Sequence, residues 1–473
     1  IFEELFLFFV GFGLRKRAAT RFTTQRAFSV TEETRKKVQS LLPFRLTAAQ
    51  KRVSRTIAEE LGSLKPMRRL IQGDVGSGKT IVAVLAAVIV IEEGAQVAFM
   101  VPTELLAEQH FANIRRILEP AGYRVALLSS SLKRPEREER LDAIARGRVD
   151  LVVGTHALIQ EEVTFRELGL AIIDEQHRFG VLQRTELRAK AHQPDLLVMT
   201  ATPIPRSLAM AIHGDLDLSV LDELPPGRQP IQTLIKDVAE RDEVYRLMEG
   251  HVAARHQVYF VCPLIEESEK LDLRDAVATH EMLRRGPFAH RRLGLVHGRM
   301  SAEERESVMS AFGEGQTDIL VATTVVEVGV DVPNATLIVI EHAERFGLSQ
   351  LHQLRGRVGR GTAPSMAVLL YQGPLTPEAE KRLQAMAETN DGFEIAERDL
   401  EIRGPGDYFG TRQSGLPLFR VADVVRDAEL LDLAKREADW FLASPDSKAP
   451  EGLRLIHQVV EIWGERFDLA AAG

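Results

Sequence analysis

Between Leu41 and about Leu224, short apolar runs alternate with loops and helical stretches. Arg69 to Gln72, Gln96 to Val101, Asp150 to Val153, Leu170 to Ile173 and Asp195 to Met199 predict strands. They are apolar almost throughout rather than alternating, which suits a parallel sheet covered on both faces. Thr80 to Glu93 is apolar nearly all round, as a helix buried between layers would be, and Gly94 sits where a C-cap glycine belongs. Leu224-Pro225-Pro226-Gly227-Arg228 reads as a linker. A second series then begins, with strands predicted at Gln257 to Val261, Arg292 to Val296, Ile319 to Thr323, Thr336 to Ile340 and Met366 to Leu370. Ser301-Ala302-Glu303-Glu304 has capping-box spacing and starts a helix. Beyond Pro377 the alternation stops. Glu378 to Glu388 reads as helix, Arg403 to Leu416 is rich in glycine, and Asp423 to Leu442 is again helical. The expectation is an α/β protein of two tandem lobes with parallel sheets, a cleft between them, and a helical C-terminal region. The boundaries are 1–40 for an N-terminal helical linker, 41–224 and 225–376 for the lobes, and 377–473 for the hairpin and coupling region.

The first fourteen residues are strongly apolar, yet too few to span a bilayer, and they include Glu3 and Glu4. Arg15, Lys16 and Arg17 follow the run, whereas a signal peptide carries its positive charge first. The stretch reads as an amphipathic helix whose partner lies in a segment upstream of Ile1. A helix docked on the chain's own core carries equal weight.

Length and charge narrow the class. The 473 residues suit roughly three domains of about 150 residues each. A formal net charge of −8 excludes a globally basic protein, so nucleic acid must be met by local patches or backbone amides. The single cysteine, Cys262, excludes an internal disulfide and a cysteine-rich zinc site. Its apolar setting reads as a small buried residue and fits a reducing compartment.

The chemistry lies in two segments of the first lobe. Gly73-Asp74-Val75-Gly76-Ser77-Gly78-Lys79-Thr80 is a phosphate-binding loop between a strand and a helix. Glycine lets backbone amides converge on phosphate oxygens, and the helix N-terminus adds its positive end. Lys79 is expected on the β- and γ-phosphates of ATP, and Thr80 on Mg²⁺. Asp174 and Glu175 close an apolar strand. Asp174 is the second candidate for Mg²⁺, through water, and Glu175 is placed to polarise the attacking water. His177 reads as a link from nucleotide to cleft, against the alternative of a core histidine.

In the second lobe, Gln353-Leu354-Arg355-Gly356-Arg357-Val358-Gly359-Arg360 concentrates arginine. Arg357 and Arg360, three apart, would share one helix face and reach the γ-phosphate only on closure, as arginine fingers do. The competing reading is a solvated basic face that binds nucleic acid; Arg355 points elsewhere, so both can hold.

These residues resemble the superfamily 2 helicases and translocases, in order. Phe44-Arg45-Leu46-Thr47-Ala48-Ala49-Gln50 resembles the adenine-reading segment, with Gln50 as the base-pairing amide. Pro102-Thr103-Glu104-Leu105 and Gly154-Thr155-His156 resemble first-lobe strand-contacting motifs. Thr200-Ala201-Thr202-Pro203 resembles the motif that couples hydrolysis to strand movement. Val296-His297-Gly298 and the run from Ala322 through Thr323 to Asp331 resemble second-lobe motifs. Within the superfamily the RecG family is the nearest match from about residue 40 onward. Asp174 to Gly180, Cys262 to Ser268, Arg398 to Asp407 and Gly410 to Gly415 are the discriminating strings.

The resemblance implies RecA-like lobes and an ATP-hydrolysing motor on duplex or branched DNA. It makes Arg403 and Arg412 candidate duplex contacts in the coupling region, whose glycines permit a tight backbone. It also implies a cytoplasmic monomer, with single-stranded DNA-binding protein as a candidate partner. Nothing here occupies the place of that family's N-terminal wedge domain, so the chain is expected to be a motor without its fork-gripping module. The motor of a transcription-repair coupling translocase and a nucleotide-gated DNA clamp that never steps stand as alternatives.

Overall fold

The computed structural model describes residues 1–19, 26–130, 132–175, 194–201, 216–226, 229–263, 269–323, 332–403, 419–423 and 426–467. Among the described residues the first lobe holds seven parallel strands: β1 (Arg68–Gly73), β2 (Gln96–Met100), β3 (Val125–Leu128), β4 (Leu151–Gly154), β5 (Leu168–Ile173), β6 (Asp195–Thr200) and β7 (Asp217–Leu221). Their order across the sheet is β3-β4-β2-β5-β6-β1-β7. The second lobe holds β8 (Gln232–Asp237), β9 (Gln257–Val261), β10 (Leu293–Val296), β11 (Ile319–Ala322), β12 (Ala335–Glu341) and β13 (Met366–Tyr371). These are also parallel, in the order β10-β11-β9-β12-β13-β8.

The central strands are buried along their whole length, as continuous apolar runs require. The helix Lys79–Glu92 is apolar all round because sheet and outer helices both cover it. Gly94, with φ 85°, ends it in the left-handed region that favours glycine. Three strands were not legible: β3, β7 and β8. All lie at sheet edges. β7 and β8 are only partly buried and so retain Asp217, Ser219, Gln232 and Lys236. β3 is a four-residue apolar run, too short to tell from a buried helix segment.

The opening helix, Phe2–Ala19, follows the second of its two readings, docking on the chain itself. Its partner is the chain's own C-terminal region. Leu5, Phe8, Phe9, Val10 and Phe12 pack with Leu431, Ala434, Ala438, Leu442 and Val459. Fully burying such side chains stabilises the bundle by about 1.5–3 kcal/mol each. The helix is apolar on several faces because the helices Ala428–Ala443 and Pro450–Phe467 both cover it. Glu4 is neither stray nor solvent-only: its carboxylate accepts the backbone N–H groups of Arg420, Val421 and Ala422. Burial pushes this carboxyl up, but those three donors hold it below the usual range. The described residues of segments 1–19 and 419–467 therefore pack around one apolar core.

Among the described residues, no helix is long and apolar enough to cross a membrane. Cys262 is buried, as its sequence setting suggested.

Candidate nucleotide and nucleic-acid site

Because the first sheet is parallel, its strand ends share one edge. Across β4, β2, β5, β6 and β1, the residues at that edge are Thr155, Thr103, Asp174, Thr200 and the loop from Gly73. Sheet topology alone thus gathers segments that lie far apart in sequence.

The loop from Gly73 is built around backbone groups. Gly76 and Gly78 have φ of 79° and 87°. At Gly78 a Cβ would also collide with Gln50 Nε2, so both conformation and space demand glycine. Lys79 is buried, and its Nζ donates to the Gly73 and Asp74 carbonyls at 2.7 and 2.9 Å. Ser77 is buried and Thr80 half-buried at the start of the helix. Gln50 donates to the Ser77 carbonyl at 2.8 Å and accepts from Thr47 N–H at 3.0 Å. Its amide is therefore first a brace for the loop; a second hydrogen and a second lone pair remain for a base edge. Phe44 is half exposed and lines a cavity of about 1390 Å³ with Arg45, Lys51, Val82 and Leu85.

Asp174 is buried. Its Oδ2 lies 3.1 Å from His110 Nε2, and its Oδ1 accepts the Glu175 N–H at 3.0 Å. Burial pushes the Asp174 carboxyl up; the His110 hydrogen bond and the Lys79 charge outweigh this and hold it low. Glu175 is pushed up to about 7, chiefly by burial and then by the Asp174 charge, against the pull of Lys79, Ala201 N–H and Arg357. Its backbone has φ 53°, a left-handed conformation that costs a non-glycine residue about 1–3 kcal/mol. The Ala201 contact ties the carboxylate to the segment after β6. Among the described residues no cluster of three or more His, Cys, Asp or Glu could hold a metal. One buried carboxylate beside a phosphate loop suits Mg²⁺ instead, which takes few protein ligands and keeps phosphate oxygens and water.

The second lobe meets this edge through the segment after β12. The helix Leu348–Arg355 ends at Gly356, so Arg357 and Arg360 do not share a helix face as expected. They follow the helix end, in a turn where Gly359 has φ 76°. Arg357 still bears on the first lobe, since its charge lowers the pKa of Glu175. Arg360 Nε donates to the Gly356 carbonyl at 3.1 Å. Arg355 is not part of a solvated basic face. It is buried, donates to the Met386 and Thr389 carbonyls at 2.8 Å each, and lies 3.1 Å from His352 Nδ1. His352 in turn places Nε2 2.6 Å from Asp74 Oδ1. A continuous polar chain thus runs from the phosphate loop of one lobe, through His352 and Arg355, to the turn preceding the helix Gly392–Arg403. Ser349 Oγ, 2.9 Å from the buried Asp399 Oδ2, braces that helix a second time.

The strand-contacting candidates divide. Thr103 caps the helix Glu104–Leu118 by accepting the Leu106 N–H. Thr155 is buried, and its hydroxyl donates to Glu104 at 3.0 Å, which holds the turn in shape. Thr200 and Thr323 are likewise buried, at the ends of β6 and β11. His297 is half-buried beside Arg299 in an open cavity of about 650 Å³, and burial lowers its pKa. His177, Thr202 and Arg412 lie outside the described residues, as does the side chain of Arg403, which ends its helix.

Comparison with known proteins follows the same division. Residues 47–211 match the DEAD/DEAH box helicase family and residues 240–362 the helicase conserved C-terminal domain. Residues 389–472 match the C-terminal part of domain 3 of the ATP-dependent DNA helicase RecG. The RecG helicase of Synechocystis is 49% identical over 96% of this chain and 55% of its own length. That of Bacillus subtilis is 49% identical over 94% of this chain and 65% of its own length. The chain belongs to the RecG helicase family.

It spans about 55–65% of the length of these RecG relatives. A solved RecG structure bound to a three-way DNA junction superposes with TM-score 0.74 at 44% identity, covering 91% of this chain and 56% of that one. Yeast Dbp5 bound to RNA and ADP–BeF3 shares the fold alone, at TM-score 0.55 and 16% identity. Sequence reasoning missed three residues of this RecG-family site: His110, His352 and Asp74. Asp74 fills a variable position of the loop pattern, and His352 adjoins Gln353, so position along the motifs was the available signal. For His110, on a helix that carries no motif at that point, there was none.

Proposed function

We propose that the chain is the ATP-driven motor of a RecG-type translocase that moves along duplex DNA and remodels branched DNA. The observation that carries this reading is the junction of the two lobes beside the phosphate loop. There Asp74 meets His352, and Arg357 bears on Glu175.

The ATP phosphates would lie on the amides of Gly76 to Thr80, with Lys79 exchanging its carbonyl partners for β- and γ-oxygens. Thr80 and Asp174 would hold Mg²⁺, which when bound neutralises phosphate charge. Glu175 orients the attacking water and takes up its proton, a task suited to a carboxylate titrating near 7. Arg357 and Arg360 supply cations to the terminal phosphate from the other lobe, so turnover requires closure. Phosphate departure removes what both lobes hold in common. The chain from Asp74 through His352 and Arg355 then carries the change to the helix Gly392–Arg403, and Arg412 follows nine residues later in sequence. DNA would cross the strand-end edges of both lobes, gripped at its backbone without regard to sequence, with Thr103 and His297 on its path. A monomer suffices, since each lobe supplies half of the site. Cytoplasmic location and an interaction with single-stranded DNA-binding protein complete the proposal.

The test compares forked, linear duplex and single-stranded DNA as activators of phosphate release, alongside triplex displacement as a measure of stepping. Stimulation by duplex with triplex displacement is expected. Tight nucleotide-dependent DNA binding without displacement would replace the motor by a clamp.

A further inference from the structure

We propose that His110 is the positioning residue for Asp174, and that through it the DNA-facing turn of the first lobe acts on the metal site. This inference rests on the assignment of Asp174 to Mg²⁺ above.

The geometry is specific. Asp174 is buried, and both of its oxygens are engaged by protein donors: Oδ2 by His110 Nε2 at 3.1 Å, Oδ1 by the Glu175 N–H at 3.0 Å. Two donors on opposite oxygens fix the plane of the carboxylate while leaving one lone pair on each oxygen. A carboxylate only accepts, so its contact requires the proton on Nε2. The imidazole is 13% exposed, and its ring lies 5.0 Å from that of Phe99, a fully buried residue of β2. β2 and β5 are neighbours in register, Phe99 opposite Ile172, so the ring packs beside the strand that ends in Asp174.

His110 also has a place on a lever. It belongs to the helix Glu104–Leu118. That helix opens at Thr103 and Glu104, where Glu104 Oε1 accepts from Thr155 Oγ1 at 3.0 Å, Ser130 N–H at 3.2 Å and Ser130 Oγ at 3.0 Å. The turns after β2, β3 and β4 are thereby locked to one helix end. From Glu104 to His110 is about 9 Å of helix at 1.5 Å per residue. A displacement of the turns by a seated DNA backbone is carried over that distance as rigid-body motion and delivered to Asp174 Oδ2. Partners of metal-binding carboxylates typically set about 10–100-fold in metal affinity.

The experiment measures Mn²⁺ binding by electron paramagnetic resonance to the protein with ADP, with and without duplex DNA, for the parent, His110→Ala, His110→Gln and Asp174→Asn. Thermal unfolding is followed in parallel. His110→Ala is expected to weaken Mn²⁺ binding about 10–100-fold and to abolish any effect of DNA on it, with metal-free ADP binding unchanged. His110→Gln, which keeps a donor at similar reach, restores most of the affinity. Unaltered Mn²⁺ affinity in His110→Ala, with or without a lower unfolding temperature, overturns the proposal and leaves His110 a packing residue. Unaltered affinity in Asp174→Asn overturns the metal assignment instead, so the two failures are distinguishable.

Discussion

The two lobes share a fold and build their halves of the site by different means. In the first, each chemical group sits at or beside the end of a central strand, so five strand ends deliver Gly73, Thr103, Thr155, Asp174 and Thr200 to one edge. In the second, three arginines within six residues come from one helix terminus and meet three fates. Arg355 is consumed by internal carbonyls, Arg357 bears on Glu175, and Arg360 folds back on Gly356. Strand ends fix a residue's direction through the sheet. A helix terminus fixes it only through where the helix stops, and here Gly356 stops it.

The sharpest break of this comparison is a matched pair of substitutions, one in each lobe. Lys79→Ala should remove nucleotide binding and turnover together, whereas Arg360→Ala should lower turnover about 10³-fold with nucleotide affinity nearly intact. Stopped-flow binding of a fluorescent nucleotide beside phosphate release reads both. Equal losses of binding and turnover in Arg360→Ala would erase the distinction between the halves.

Arg355→Ala should act on stability instead. It leaves the Met386 and Thr389 carbonyls and His352 without this donor, at a cost of about 2–5 kcal/mol, read as a lower urea midpoint. A loss of turnover in a variant of unchanged stability would assign Arg355 to the chemistry after all.

The smallest effect lies at the seam. Glu108 of the first lobe and Glu306 of the second share a hydrogen bond, and burial, then that bond, then the charges of Glu306 and Glu104, push Glu108 up to about 7. The docked lobes hold a proton that free Glu108 would release at its ordinary value, so docking is favoured at low pH and weakens as pH rises through about 7. Interlobe distance measured between paired fluorophores should lengthen across about pH 6–8, and Glu108→Gln should flatten the response. A persisting response in that variant would place the titration elsewhere.

The RecA-like lobes, the phosphate loop and the Asp174-Glu175 pair were legible because each is local: a strand, a turn and a residue at its end. The same held for the capping box at Ser301, where side chain and backbone are three residues apart. Edge strands β7 and β8 were not, since partial burial removes the apolar run that marks a central strand. Nor was the partner of the opening helix, because Phe8 is as apolar against any other apolar surface as against Phe419, more than four hundred residues away.

By itself the sequence determined which groups this chain can bring to a nucleotide, and that a parallel sheet would present them at one edge. Only the tertiary structure decided how the remaining polar groups are paired: His110 with Asp174, His352 with Asp74, Arg355 with the carbonyls of Met386 and Thr389. Those pairings join residues from separate elements, and an imidazole or guanidinium takes whichever acceptor folding brings within about 3 Å. No local pattern encodes that distance.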